Sequence, residues 1–109
     1  MKYEVRIDNI AIGDLYAIYR YVANNDSTGK AEHLLDSIQK AMLSLETMPA
    51  RGNHPPEMQR WGIFDFREIF FKPYRIIYEI RDKSVFIHVV LDGRRNCEDL
   101  LHQRLLGAL

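Results

Sequence analysis

The chain has 109 residues, and fifteen Lys and Arg balance fifteen Asp and Glu, so its formal net charge at pH 7 is zero. That length predicts one domain over residues 1–109, and the balanced charge argues against a bulk RNA or ribosome binder, whose affinity draws on a large positive excess. One cysteine, Cys97, rules out an internal disulfide framework; with no apolar run of about 20 residues and a charged, alternating N-terminus unlike a signal peptide, the composition predicts a cytoplasmic protein that does not enter a membrane.

Tyr3, Val5 and Ile7 alternate with Lys2, Glu4 and Arg6, the period of a half-buried strand. Asp8 or Asn9 ends it and caps a helix in which Ala11, Leu15, Ile18, Tyr19 and Val22 recur at helical spacing. Tyr16, Tyr19 and Tyr21 are expected to pack against neighbouring elements and not to serve as stacking platforms. After the polar break Asn24–Ser27, Ser27 or Thr28 caps a second helix with the stripe Ala31, Leu34, Leu35, Ile38, Met42 and Leu45. The short link predicts an antiparallel helical hairpin. Pro49 ends the second helix, and residues 50–56, with Gly52, Pro55 and Pro56, are predicted as a loop.

Three strands follow, over 64–71, 74–80 and 85–91, with turns at Pro73 and at Arg81–Ser84. After Gly93 the chain turns helical again. Asn96 caps this last helix, Glu98 and Asp99 suit its first turn, and Cys97, Leu100, Leu101 and Leu105 form its apolar stripe, Cys97 being read as a small packed residue. The order β-α-α-β-β-β-α predicts an α+β fold: a helical hairpin packed on a mostly antiparallel four-stranded sheet, with a C-terminal helix. The strands place arginines at 67, 75, 94 and 95, a cationic surface suited to an anionic partner.

This order, together with Asp14-Leu15-x-x-Ile18-x-x-Tyr21-Val22, Met48-Pro49-x-x-Gly52, Phe66-Arg67-Glu68, Tyr74-Arg75-Ile76-Ile77-Tyr78 and Asp92-Gly93-Arg94-Arg95-x-x-x-x-Leu100-Leu101, resembles the RelE/ParE superfamily of toxins from type II toxin–antitoxin, or plasmid-stabilisation, modules. The resemblance covers essentially the whole chain. It implies a cognate antitoxin, ParD-like or RelB-like, whose C-terminal segment wraps the toxin, and no cofactor or metal. One branch cuts messenger RNA on the ribosome; the other inhibits DNA gyrase and is not known to hydrolyse anything. For the nuclease branch the resemblance implies Arg75 as the phosphate-contacting arginine, Glu57 as general base, Arg67 as an assisting cation and His88 as a remaining acid, since no terminal His or Tyr follows the last strand.

Each of these residues also has a plainer reading. Arg75 is then an outward residue paired with Glu79 or a cross-strand acid, Arg67, followed by Glu68, is ordinary sheet-surface charge, and Glu57 is a solvated loop carboxylate. His54 and His102 are read as surface residues, and His33 as pointing outward. Arg94 and Arg95 follow Gly93 and point to opposite sides, so one braces an acid and the other stays free for target or antitoxin. Zero net charge, the missing acid and the leucine-bearing last helix favour the gyrase-directed branch. The ribosome-dependent endoribonuclease, and a non-toxic antitoxin partner or co-repressor, are the alternatives.

Overall fold

The computed structural model describes residues 2–107, so the expected 1–109 span runs past it at both ends. Strand β1 (Glu4–Ile7) leads into helices α1 (Asn9–Asn25) and α2 (Thr28–Leu43), the expected hairpin. The Ser27 hydroxyl accepts the Lys30 amide at 3.1 Å and caps α2. Asp8 occupies the cap position of α1 without a side-chain cap bond. Strands β2 (Phe66–Phe71), β3 (Tyr74–Arg81) and β4 (Ser84–Asp92) form the meander, and helix α4 (Glu98–Leu106) follows.

The sheet order is β1-β4-β3-β2. The meander pairs antiparallel, whereas β1 runs parallel to β4, so the α+β sheet is mixed. A parallel neighbour needs a long crossover, and the α1–α2 hairpin together with the meander supplies it. One departure concerns the proline-rich stretch read as a loop. Pro49–Arg51 forms a 3-10 turn, and Pro56–Arg60 forms a short helix, α3. Pro56 sits at the first helical position, where a missing N–H costs nothing and the fixed φ suits a helix. Phe64 and Asp65 precede the strand they were expected to open, and Phe64 is exposed.

The sheet is buried on both faces. Against one face, α1, α2 and the 3-10 turn Ser44–Glu46 that follows pack Ala11, Leu15, Ile38, Met42 and Leu45 on Ile76, Tyr78, Val85, Ile87 and Val90. Against the other, α3 and α4 bring Met58, Cys97 and Leu101 onto Phe66, Ile77, Val89 and Leu91. The predicted stripes of α2 and α4 are the ones buried, Cys97 among them. Tyr16 and Tyr21 are exposed and do not pack inward as expected.

A β-bulge in β4 joins the two layers. Ile77 pairs with Val89 and Tyr78 with Ile87, which leaves His88 as the extra residue. Alternation therefore changes phase at His88, and Ile87 and Val90 both face the hairpin. Beyond Ile87, where β1 ends, β4 has an open edge carrying the His88 carbonyl and the Val90 amide. Asp14 of α1 accepts the Val90 amide at 3.0 Å and two bonds from Arg104 of α4, at 2.9 and 3.0 Å. Arg104 also donates to the His88 carbonyl at 3.0 Å. The pair covers the edge and ties α1 to α4. Asp14→Ala leaves the Val90 amide without a partner and the half-buried Arg104 guanidinium with the His88 carbonyl alone. We expect a loss of about 2–3 kcal/mol in a urea melt, with faster exchange of the Val90 amide; an unchanged melt would show that water replaces the carboxylate there.

Candidate functional site

The strongest polar cluster lies on the face that α3 and α4 cover. The hairpin turn at Lys72-Pro73 sets Phe71 opposite Tyr74, which places Glu68 diagonally across from Arg75 on that face. Arg75 Nε donates to Glu68 Oε1 at 2.7 Å and Nη2 to Glu68 Oε2 at 3.2 Å. Helix α3 holds Glu57 over the same guanidinium, where Nη1 and Nη2 donate to its two oxygens at 2.7 and 2.8 Å. Four N–H groups of one arginine are thus committed to two carboxylates, and the cluster carries a net negative charge. Arg75 is 8% exposed and Glu68 1%. Hydrogen bonds from Arg75 hold the Glu57 carboxyl below its ordinary value, against the opposing effect of burial, and the same bonds raise Arg75.

Glu57 is therefore not a solvated loop residue but part of a helix-borne clamp. Of the two expected partners of Arg75 the cross-strand acid is the one found, Glu68, while Glu79 is engaged elsewhere. Glu68 went unweighed as a site residue, although the register set by the turn at Pro73 would have found it. Arg67 points to the opposite face and donates to the carbonyls of Ala50 at 3.1 Å and Gly52 at 2.8 Å, fastening the 49–53 loop along β2. That loop also accepts the Glu68 amide through the Asn53 carbonyl. Gly52 is needed there: an added Cβ would meet the Tyr78 hydroxyl and lie 2.7 Å from the Glu68 carbonyl. The Tyr78 hydroxyl donates to the Pro49 carbonyl.

His88, the bulge residue, shares the face of Arg75. Its Nε2–H donates to Glu79 Oε1 at 3.0 Å, and its ring meets Phe66 edge-on. Burial works to raise the Glu79 carboxyl, but bonds from Arg81 and His88 outweigh it and the group lies below its ordinary value. His54, expected at the surface, is half-buried and donates through Nδ1–H to the Phe66 carbonyl at 2.9 Å. His102 packs edge-on against Trp61.

Arg94 and Arg95 lie at the far end of β4. Arg94 grips Asp92 through Nε at 3.0 Å and Nη2 at 2.7 Å, and its amide donates to the same carboxylate. Arg95 is exposed, and its guanidinium has no ion-pair or hydrogen-bond partner among the described residues. One of the pair thus braces an acid while the other stays open. Gly93 packs closely behind them, with its amide on the Pro73 carbonyl at 2.8 Å. Among the described residues, no group of three or more His, Cys, Asp or Glu is placed to hold a metal ion, and no helix is long and apolar enough to cross a membrane.

Residues 5–97 match the family described as the ParE toxin of the type II toxin–antitoxin system, parDE. The chain is 30% identical over 84 residues to toxin ParE3 of Caulobacter vibrioides, covering 77% of this chain and 80% of that protein. Its fold is similar to a structure of a chromosomal ParDE system from P. aeruginosa, with a TM-score of 0.71 at 17% identity over 84% of this chain and 96% of that one. It is also similar to a mutant of the E. coli toxin RelE in the free state, with a TM-score of 0.65 at 17% identity over the whole of both chains. The match from β1 to the start of the last helix and the 30% identity to ParE3 establish the family: this chain belongs to the ParE toxin family of type II toxin–antitoxin systems, within the RelE/ParE superfamily.

Proposed function

We propose that this chain acts in the cytoplasm as one toxin domain that inhibits DNA gyrase by binding and not by turnover, and that a ParD-like antitoxin neutralises it. The closure of Arg75 supports this most. A phosphorane-stabilising cation must reach the transferring phosphate, and here the guanidinium is taken up by Glu57 and Glu68. Cations left at the surface, Arg94 and Arg95, suit recognition of a carboxylate or phosphate on the target or the antitoxin. Arg67 is instead occupied by the carbonyls of the 49–53 loop, so it is the weaker candidate for that role.

One observation favours a ribosome-dependent endoribonuclease instead: Glu57, Arg75 and His88 lie on or against one sheet face, so a base, a cation and an acid share a surface. In that reading the message must pull Arg75 away from its carboxylates. Induction without antitoxin separates the readings. Loss of supercoiling by purified gyrase with intact translated messages is the expected result; codon-positioned cuts with normal supercoiling would replace it with the nuclease. Unchanged growth with antitoxin binding retained would leave only a non-toxic partner or co-repressor. Arg94→Ala with Arg95→Ala, both exposed, is expected to lower toxicity at least tenfold with little change in the melting temperature, since the Arg94–Asp92 pair lies at the surface, where an ion pair contributes about 0–1 kcal/mol. A short neighbouring reading frame for a DNA-binding antitoxin would accord with the pair.

A further inference from the structure

Between α1 and the adjoining ends of β3 and β4 lies a cleft of about 350 Å³. Ala17, Ile18 and the ring of Tyr21 form its apolar wall, and Tyr74, Asp92, Arg94 and Arg95 its polar side. Tyr74 is 8% exposed, yet its hydroxyl makes no hydrogen bond among the described residues. Since no fully buried side-chain polar atom lacks a partner there, this hydroxyl reaches the cleft surface. Burial raises Tyr74, so the hydroxyl remains a donor at neutral pH. Arg95 adds a guanidinium with no partner, and Arg94 retains free N–H groups beyond those it gives Asp92.

The charge count selects the ligand. Two arginines and one aspartate leave a single positive charge at the cleft, matched to a monoanion. The Asp92 carboxylate in the lining and zero net charge over the chain disfavour a polyanion, whose binding depends on a basic field. The apolar wall adds room for a side chain beside the anion. We propose that this cleft is a carboxylate-binding pocket that receives an apolar residue carrying or adjoining a carboxylate from a partner polypeptide, with the Tyr74 hydroxyl and Arg95 contacting the anion and Ile18 and Tyr21 the apolar group. The proposal rests on the reading that a partner polypeptide engages this domain, and it assigns that partner's chemistry at one place.

The test uses the full chain, titrated in solution and followed by NMR, with N-acetyl-L-leucine as the probe, N-acetyl-L-leucinamide as its uncharged counterpart and inorganic phosphate as a competing anion. N-acetyl-L-leucine should give saturable shifts at Ala17, Ile18, Tyr21 and Tyr74, with the amide and phosphate at least tenfold weaker. Tyr74→Phe and Arg95→Ala should each weaken the probe about tenfold, the size of one charge-assisted hydrogen bond. Tyr74→Phe should leave the melting temperature unchanged, because the hydroxyl bonds nothing within the fold. Equal binding of the amide would make the cleft merely apolar, equal binding of phosphate would make it a general anion site, and no saturable shifts would show no pocket; each overturns the proposal. Gyrase inhibition is read separately on the same preparations. Failure of the probe with inhibition intact removes this pocket alone, and specific probe binding without inhibition leaves the pocket standing while the gyrase reading falls.

Discussion

Arg75→Ala is expected to lower stability by about 3–5 kcal/mol, the cost of removing one partner from a buried charge cluster. Glu68, 1% exposed, and Glu57 are then left facing each other without the cation that holds them. Most of the stability of a domain this size, about 5–15 kcal/mol, is of the same order. At about 4–8 °C per kcal/mol, the melting temperature should fall by at least about 12 °C. Glu57→Gln should cost less, because Arg75 keeps its buried bonds to Glu68. Joint replacement of Arg75 by Met and Glu68 by Leu should recover much of the loss, since well-packed apolar pairs often match buried ion pairs. A melt of Arg75→Ala within about 2 °C of the parent would show that the cluster does not stabilise the fold. For the same reason, loss of toxicity in Arg75→Ala says nothing about catalysis until its folding has been measured.

The cluster also predicts an acid limb. The folded Glu57 carboxyl lies below its ordinary value, with the Arg75 hydrogen bonds as the principal cause. Its contribution is therefore complete above an unfolded value of about 4.5 and is lost as pH falls through the folded one. Urea melts between pH 6 and about 3 should show this decline in the parent and a shallower one in Glu57→Gln. Parallel curves would remove Glu57 from the account.

The second large effect is at Gly52. Its φ of −70° is open to any residue, so the cost of Gly52→Ala is steric. The methyl group meets the Tyr78 hydroxyl and the Glu68 carbonyl, the latter a backbone atom that cannot swing aside. Relief requires the 49–53 loop to lift from β2. That movement breaks the Tyr78–Pro49 bond, the two Arg67 bonds and the Asn53–Glu68 bridge. Overpacking and an unpartnered buried hydroxyl together are expected to cost about 2–5 kcal/mol. Tyr78→Phe removes one of the two atoms struck, so the double variant should lose less than the sum of the single losses. Additive losses in thermal melts would place the strain on the Glu68 carbonyl alone.

Helices and strands were legible because their signals are local. The period of Ala31, Leu34, Leu35, Ile38 and Met42 can be read without knowing what covers it, and the alternation in Tyr3, Val5 and Ile7 marks a strand whichever neighbour it has. The same alternation cannot tell a parallel partner from an antiparallel one, and β1 joining β4 became evident only in the fold. The short helix α3 escaped because two prolines and a glycine nearby outweighed the fitness of Pro56 for a first helical turn.

The candidate site divides in the same way. Arg94 bracing an acid while Arg95 stays open follows from short-range geometry around Gly93 and was foreseeable, but the two line one cleft and do not part to opposite sides as expected. The fate of Arg75 was not, because its two partners come from a helix eighteen residues earlier and a neighbouring strand, and their convergence depends on register and on the packing of α3 over the sheet. His88 shows the limit most directly. As the extra residue in β4 it shifts the alternation after it, just where β1 ends and leaves two backbone groups that Asp14 and Arg104, ninety residues apart, come together to satisfy. By itself the sequence determined the elements other than α3, their order and the family resemblance, since these rest on local periodicity and residue type. Tertiary structure decided which charges are closed and which remain open, because that depends on long-range pairing and burial.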